Sequence, residues 1–264
     1  NFHADFATIS PDDFPEIEIN EEQTPITVES AVLKRILSKT SFSMASQDVR
    51  YYLNGMLLEI EGNKINGVAT DGHRLAFSSA KTNASDLDVR NILPRKAVLE
   101  LAKLLSANEG TIELLIGPSY VDVRSENLNF SSKLIDGKYP DYDKVFPTGE
   151  PLPLEISKEL LQSALSRASV LSNEKYRGVR FQLTENKLKL TANNPEQESA
   201  EEELDVIYKG TELEVGFNIG YLLDVLNSIE SETVCFEFYG EDSSCILKEQ
   251  NSEDDIYVIM PMRL

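Results

Sequence analysis

The chain has 264 residues with 45 acidic and 25 basic side chains, so its formal charge is −20. Apolar residues make up 41% of the chain, which is enough for a proper core and excludes a disordered acidic chain. The charge argues against a protein that grips nucleic-acid phosphates tightly. No apolar run approaches the roughly 18–20 residues that span a bilayer, and no charged-then-apolar signal segment opens the sequence, so we expect no membrane contact. The length predicts two domains or one large one.

Cysteine and histidine are scarce, with two residues of each. We therefore expect no metal site, no cofactor and no disulfide framework. Cys235 and Cys245 flank a polar turn signal at 239–243. This spacing allows the two residues to face each other across a hairpin, and we expect buried, reduced thiols.

The same order of predicted elements occurs twice along the chain. A short strand at Ile26–Val28 precedes a helix that Ser30 is predicted to cap and that runs to about Lys39. About 128 residues later, Leu154–Ile156 and a helix capped by Ser157 repeat this order. Two predicted strands joined by a polar turn follow each helix, at 55–60 and 64–69 in the first copy and at 179–183 and 187–192 in the second.

Each copy also carries a second amphipathic helix, predicted at Pro94–Leu105 and at Asn218–Ser228. Each copy is then predicted to end in strands that close on an apolar residue followed by proline, at Phe146-Pro147 and at Met260-Pro261, and a third such step occurs at Phe14-Pro15. These features predict an α+β fold of antiparallel sheets covered by helices. The predicted division is 1–24 for the end of a preceding copy plus a linker, 25–147 for one complete domain and 148–264 for another.

The predicted helices differ in charge from the rest of the chain. Together the four helical segments carry +4, which leaves −24 for everything else. If the helices share one face, that face is mildly basic and the opposite one strongly acidic. Ordinary solvated helix charges with favourable end effects are the simpler explanation of this pattern. The functional alternative is a weakly attractive surface for a polyanion.

One segment contains residue types that could take part in catalysis, Asp71-Gly72-His73-Arg74. An acid two residues from a histidine could orient an imidazole, and the arginine could bind an anion, so a hydrolase that uses Asp71 and His73 is one hypothesis. No nucleophile signature accompanies the segment, which also fits a turn that ends a strand. The chain end is the other unusual feature, because two of the four methionines lie there, and methionine supplies adaptable apolar surface.

Six segments spread over nearly the whole chain carry a family resemblance: Gln47–Gly55, Ala69–Ala76, Asp136–Tyr142, Ser172–Arg180, Thr191–Glu198 and Met260–Leu264. Together, and in this order, they resemble the bacterial DNA polymerase III β subunit family, the replicative sliding clamps. The resemblance implies a DNA-clamp fold, in which repeated domains of antiparallel sheets each carry two helices on the inner face. The chain would hold domains two and three and the end of domain one.

The resemblance also implies a function and partners. Members of the family are non-catalytic accessory subunits that form head-to-tail dimeric rings around duplex DNA, without sequence preference. Their partners are the catalytic subunit of DNA polymerase III, clamp-loader subunits, other DNA polymerases and repair proteins that carry clamp-binding motifs. We expect a homodimer for the full-length protein and a monomer for these 264 residues, working in the bacterial cytoplasm on the nucleoid. A peptide-binding scaffold unrelated to DNA remains the alternative.

Three sets of site residues follow from the resemblance. The peptide-binding groove would consist of Leu53, Thr70, Gly72, His73, Arg74, Leu75, Pro140, Lys144, Val145, Asn218, Tyr221, Asp242, Ser244, Val258, Met260, Pro261, Met262 and Arg263. The residues that face DNA would be Gln47, Arg50, Tyr51, Tyr52, Arg95 and Lys96, and the subunit contact would use Val170 and Leu171. The expected ligand is a short peptide with a glutamine followed by leucine and phenylalanine anchors. Leu53, Leu75, Val145, Val258 and Met260 are expected to form an apolar floor, with His73 as a wall of the pocket.

Overall fold

The structure is a computed structural model, and it describes residues 1–13, 22–83, 87–173 and 175–263. Within these ranges, no helix combines the length and the apolar character needed to cross a membrane. The Phe14-Pro15 step of the sequence analysis lies outside the described residues.

The elements form two successive units with similar order. The first unit contains β1 (Thr24–Glu29), α1 (Ser30–Thr40), β2 (Gly55–Glu61), β3 (Lys64–Thr70), β4 (Arg74–Lys81), β5 (Asp88–Pro94), α2 (Arg95–Leu105), β6 (Thr111–Ile116), β7 (Tyr120–Ser125) and β8 (Leu128–Lys133). The second unit contains β9 (Leu152–Ser157), α3 (Lys158–Val170), β10 (Gly178–Thr184), β11 (Lys187–Asn193), β12 (Ser199–Asp205), β13 (Ile207–Tyr208), β14 (Leu213–Asn218), α4 (Ile219–Ser228), β15 (Thr233–Phe238), β16 (Cys245–Glu249) and β17 (Asp255–Ile259). Short 3-10 helices occur at Pro11–Asp13, Ser41–Ser43, Tyr51–Asn54 and Tyr142–Val145.

The strands form three antiparallel sheets. One four-stranded sheet has the order β1-β6-β7-β8, and the other has the order β12-β11-β10-β14. The third sheet has nine strands in the order β13-β9-β15-β16-β17-β4-β3-β2-β5, so it runs through both units. The units meet where β17 pairs with β4, with Val258 opposite Leu75 and Asp255 opposite Ser78. The junction between the units is therefore a continuous sheet with backbone hydrogen bonds.

Each unit has its own core between its helices and its sheets. In the first unit, Leu33, Ile36 and Leu37 of α1 and Leu101 of α2 are at most 1% exposed. The second core is built in the same way from α3, α4 and the surrounding strands. Phe42, which follows α1, and Ala76 of β4 belong to the first unit but pack in the second core. Side chains of the first unit thus pack directly in the core of the second unit at the junction.

Several sequence predictions hold and others are wrong at element ends. Ser157 caps α3, because its side chain accepts a hydrogen bond from the backbone N–H of Leu160 at 3.4 Å. Ser30 does not cap α1: the cap residue is Glu29, without a side-chain hydrogen bond, and Ser30 lies inside the helix. Pro94 ends β5, and α2 begins at Arg95: the φ of Pro94, −59°, would suit a helix, but its ψ of 144° is extended, so Pro94 precedes the first turn.

The predicted closing strand at residues 145–147 of the first copy is also wrong. Tyr142–Val145 forms a 3-10 helix, and the last strand of the first unit ends at Lys133. The corresponding strand of the second copy is present, because β17 ends at Ile259 directly before the Met260-Pro261 step. The two cysteines are free but do not face each other, since Cys235 lies opposite Lys248 and Cys245 opposite Ile259.

Candidate functional site

The turn between β3 and β4 is a compact, internally bonded structure. Asp71 Oδ1 accepts hydrogen bonds from the backbone N–H groups of His73 at 2.9 Å and Arg74 at 3.1 Å. Thr70 Oγ1 accepts from the Gly72 N–H at 3.1 Å and donates to the Arg74 carbonyl at 2.6 Å. Gly72 has φ +91°, and an added Cβ would lie 3.0 Å from the guanidinium nitrogens of Arg50. The backbone conformation therefore favours glycine there, and a larger residue would also require the Arg50 side chain to shift.

Arg74 connects this turn to the second unit. Its side chain is 10% exposed, and Nη1 lies 2.5 Å from Asp224 Oδ2 while Nε lies 3.1 Å from Asp71 Oδ2. Nη2 donates to the Phe42 carbonyl at 2.7 Å. The guanidinium carbon also lies 4.5 Å from the ring centroid of Tyr221 and 5.4 Å from that of Phe42. The guanidinium is thus held by both units and is not a free anion-binding group.

The geometry of His73 does not support the hydrolase hypothesis. Asp71 Oδ1 is bonded to backbone N–H groups and Oδ2 to Arg74, so the carboxylate caps the turn instead of orienting the imidazole. The His73 ring is exposed and stacks near Tyr221, with the centroids 6.5 Å apart and the planes 21° apart. The imidazole therefore lies at the surface beside the Tyr221 ring, as expected for a wall of the predicted pocket.

A third apolar cluster lies at the junction, and we call it the junction cluster. It includes Leu53, Leu75 and Val258, which are 2%, 1% and 0% exposed, together with the partly exposed Val145. Four of the five expected floor residues therefore come together, with Leu75 and Val258 directly opposite on paired strands, whereas Met260 does not belong to this cluster. Leu53, Leu75 and Val258 are buried, so among the expected floor residues only Val145 and Met260 are partly exposed.

The C-terminal tail is pinned to both units. The Met260 N–H donates to the His73 carbonyl at 2.9 Å, and the Met262 N–H donates to the Gly216 carbonyl at 2.8 Å. Pro261 and Met262 are partly exposed, and Arg263 is exposed. The tail therefore runs from the turn of the first unit onto β14 of the second and presents apolar side chains along its course.

The remaining expected groove residues include the cap residue of α4 and residues of exposed loops. Asn218 caps α4: its Oδ1 accepts from the Tyr221 N–H at 3.2 Å, and its Nδ2 donates to the Tyr176 carbonyl at 3.1 Å. Pro140 and Asp242 are exposed, and Ser244 is partly exposed. Lys144 is 82% exposed at its side chain and pairs with Asp141 at 2.8 Å, which raises the pKa of Lys144.

The residues expected to face DNA form a loop and the start of a helix. Arg50 is paired with Asp48, with Nη2 2.9 Å from Oδ2, and its Nη2 also donates to the Asp71 carbonyl at 3.2 Å. Hydrogen bonds from the Arg50 side chain and backbone lower the pKa of Asp48 to about 2. The hydrogen bond to the Asp71 carbonyl ties the loop to the turn at 71–73, and Arg50 and Asp48 form an exposed ion pair with opposite charges.

The other expected DNA-facing residues present a mixed surface. Gln47 is exposed with φ +58°, and Tyr51 and Tyr52 meet edge to face with centroids 5.7 Å apart. Arg95 is partly exposed and donates from Nη1 to the Met44 carbonyl at 3.0 Å, whereas Lys96 is exposed.

The expected subunit-contact residues lie at the end of α3. Val170 is 79% exposed, which is unusual for a large aliphatic side chain, and Leu171 is partly exposed.

Sequence reasoning missed two residues that hold the site together, Phe42 and Asp224. Phe42 lies beneath the Arg74 guanidinium, and Asp224 is the acceptor of its ion pair. Asp224 follows Tyr221 by three residues on α4, so both lie on the same helix face. The three-residue spacing could have indicated that Asp224 lies beside Tyr221. Nothing in the sequence, however, pairs Asp224 with Arg74, which lies 150 positions earlier.

Comparisons with known proteins agree over almost the whole chain. The family model of the DNA polymerase III beta subunit, central domain, matches residues 27–141, and that of the C-terminal domain matches residues 143–263. The beta sliding clamp of Pseudomonas putida is 46% identical over 259 residues, which is 98% of this chain and 71% of that protein. The beta sliding clamp of Salmonella typhimurium is 47% identical over 258 residues, which is 98% of this chain and 70% of that protein.

Solved structures agree as well. A crystal structure of the Pseudomonas aeruginosa sliding clamp bound to griselimycin superposes with a TM-score of 0.94 at 46% identity, over 97% of this chain and 70% of that one. The α+β clamp fold is thereby confirmed, and the hydrolase hypothesis is wrong, because sliding clamps are non-catalytic accessory proteins of DNA replication. The chain belongs to the DNA polymerase III beta subunit family, the beta sliding clamps.

Proposed function

We propose that this protein is a sliding clamp that acts as a processivity factor: it encircles duplex DNA as part of a ring and tethers DNA polymerase III and other replication and repair proteins. It works in the bacterial cytoplasm, at the nucleoid. Its domains are 25–147 and 148–264, and the separate cores of the two units support this division.

The proposed tether is a peptide-binding groove at the junction of the two units. The observation that carries it is the pairing of β17 with β4, because this pairing brings Val258 next to Leu75 and aligns the tail with the turn at 71–73. The groove comprises the eighteen residues named in the sequence analysis. Apolar anchors of a peptide would contact the partly exposed Val145 and Met260, next to the buried residues Leu75 and Val258.

The proposed DNA side is the helical side of the sheets. The basic residues of the helices give it a slight positive charge inside an otherwise acidic molecule, which suits a surface that must slide instead of grip. Lys96 is exposed at the start of α2. Arg50 is paired with Asp48, so we propose that it contributes more to loop structure than to phosphate contact.

The proposed subunit contact follows from the internal repeat. The buried positions of α1 and α3 match at a spacing of 128 residues, with Leu37 matching Leu165, and at this spacing Phe42 matches Val170. Phe42 packs in the core of the following unit at the junction. Val170 is the equivalent residue at the far end of the second unit, so we propose that it packs against the next domain of the ring.

The groove is tested by calorimetric titration with a short peptide that carries a glutamine followed by leucine and phenylalanine anchors. We expect micromolar affinity, about −7 to −8 kcal/mol. Met260→Ala should cost on the order of 1–3 kcal/mol because it removes apolar contact area, and His73→Ala should cost less. Lys209→Ala serves as the control, because Lys209 is exposed and is not one of the groove residues. The groove assignment fails if the peptide does not bind, or if Met260→Ala and Lys209→Ala bind it equally.

A further inference from the structure

A cavity of about 330 Å³ lies beside the C-terminal tail, outside most of the proposed groove. Its walls include Tyr176, Arg180, Thr191, Asn193, Met262 and Arg263. Only Met262 and Arg263 belong to the groove residues. The cavity therefore shares one wall with the groove and extends it further across the second unit, over β10 and β11.

Strand pairing fixes how the cavity continues the groove. Met262 bridges to Gly216 of β14, Gly216 lies opposite Arg180 of β10, and Arg180 lies opposite Thr191 of β11. At the usual strand spacing, Arg180 is about 10 Å from the tail. Its neighbour Phe181 points into the core, so Arg180 points to the opposite, solvent side of the sheet. Three or four residues of an extended peptide would cover this distance.

The charge of the cavity is opposite to that of the molecule. Among its described lining residues, two are arginines and none is acidic, in a chain of net charge −20. Arg263 is exposed and forms no ion pair with any described residue. Arg180 pairs on one side with Glu214, at 2.6 Å from Nη1, and is 38% exposed. Lys175 places a third cation next to a lining residue, with its ammonium 5.1 Å from the ring centroid of Tyr176.

The direction of a bound peptide follows from the apolar surface. The junction cluster with Val145 lies at the first-unit end of the groove, where leucine and phenylalanine anchors find apolar contacts. The glutamine precedes these anchors, so the amino-terminal end of the peptide points along the tail towards Arg263 and the cavity.

We propose that this cavity is a second subsite, which binds an acidic stretch located on the amino-terminal side of the anchor residues in partner peptides. The inference rests on the proposed function, because it needs a peptide in the groove. We expect an acidic occupant because the guanidinium groups of Arg180 and Arg263 and the amide of Asn193 can donate hydrogen bonds to carboxylates. The ring of Tyr176 provides a wall of the cavity.

The test compares three peptides with the same anchors and with three glutamates, three serines or three lysines added before the glutamine. We expect the glutamate peptide to bind about fivefold more tightly than the serine peptide at low salt, as for one or two exposed ion pairs. The net negative charge of the protein acts in the opposite sense and alone would favour the lysine peptide. Tighter binding of the lysine peptide would therefore overturn the proposal.

Arg180→Gln supplies the decisive variant, with Arg167→Gln as its matched control. Arg167 is also exposed and also paired with a glutamate, Glu202, but it lies on α3. Arg180→Gln should abolish the advantage of glutamate over serine and leave the affinity for the serine peptide within about twofold, whereas Arg167→Gln should change neither. An advantage that persists in Arg180→Gln, or an equal loss for both peptides, contradicts the subsite. If the serine peptide itself does not bind the wild type, the groove is wrong as well.

Discussion

Arg74 of β4 and Asp224 of α4 form an ion pair across the junction of the two units, with Nη1 and Oδ2 2.5 Å apart. The same guanidinium lies between the rings of Phe42 and Tyr221. The walls of the proposed groove are therefore fixed relative to each other by a side chain that belongs to the groove itself.

Arg74→Lys should destabilise the junction, although it preserves the charge. An ammonium group cannot donate in three directions with the planar geometry of the guanidinium, and it stacks less well between two rings. We expect a loss of unfolding free energy on the order of 2 kcal/mol in urea titrations. Arg167→Lys, at an exposed ion pair, should change it by less than about 0.5 kcal/mol. Equal effects of the two variants would show that Arg74 does not hold the junction.

A second prediction concerns Asp255, whose side chain is 6% exposed. Its carboxylate accepts hydrogen bonds from Arg35 Nη1 at 2.8 and 2.9 Å and from Ser78 Oγ at 2.6 Å, so it also joins the two units. Asp255→Asn leaves Arg35 without its charged partner and should lower the unfolding free energy by about 3 kcal/mol.

The neighbouring Asp254 is exposed and offers a matched control. Asp254→Asn should leave the urea midpoint almost unchanged, because no buried partner depends on its carboxylate. A similar loss in both variants would mean that general charge, and not the contact with Arg35, sets the stability.

The loop that carries Arg50 should be insensitive to mild acid. Arg50 lowers the pKa of Asp48 to about 2 from an ordinary value of 3.8. An acid with a lowered pKa in the folded state stabilises that state above its ordinary pKa, and the contribution disappears as the pH falls from 3.8 towards 2. In Arg50→Gln the Asp48 pKa should return towards 3.8. An NMR titration of the Asp48 carboxyl group measures both values, and a wild-type midpoint near 3.8 would contradict the pairing.

Affinity for linear duplex DNA should be weak, with a dissociation constant of about 10⁻⁴–10⁻⁶ M at physiological salt. Lys96→Ala should weaken it further at low salt, because Lys96 is exposed at the start of α2. Lys209→Ala removes the same charge from the short segment after β13 and should have little effect in the same anisotropy titration. Nanomolar binding, or a larger effect of Lys209, would contradict the sliding surface.

The sequence predicts the elements well where the pattern is local. The helix around Leu33 and Leu37 and the hairpins of β2–β3 and β10–β11 follow from side-chain periodicity and polar turns, and they are confirmed. Local patterns do not distinguish a strand from a 3-10 helix at Tyr142–Val145, where the segment is short and lies close to prolines.

Contacts between distant residues lie beyond such patterns. The pairing of Leu75 with Val258 depends on register between strands about 180 positions apart, and no periodicity within either strand encodes it. For the same reason the sequence did not show that Arg74 would be satisfied by Asp224. The groove residues themselves were named from the family resemblance, and their binding role stays a prediction.

The central claim is that a partner peptide binds at the junction of the two units, and methyl NMR tests it most directly. On titration with the leucine–phenylalanine peptide, the account predicts that the methyl signals of Val145, Met260 and Met262 shift together, while Leu99, which is 45% exposed on α2, stays unchanged. Shifts centred on Leu99, or none at Val145 and Met260, would contradict it.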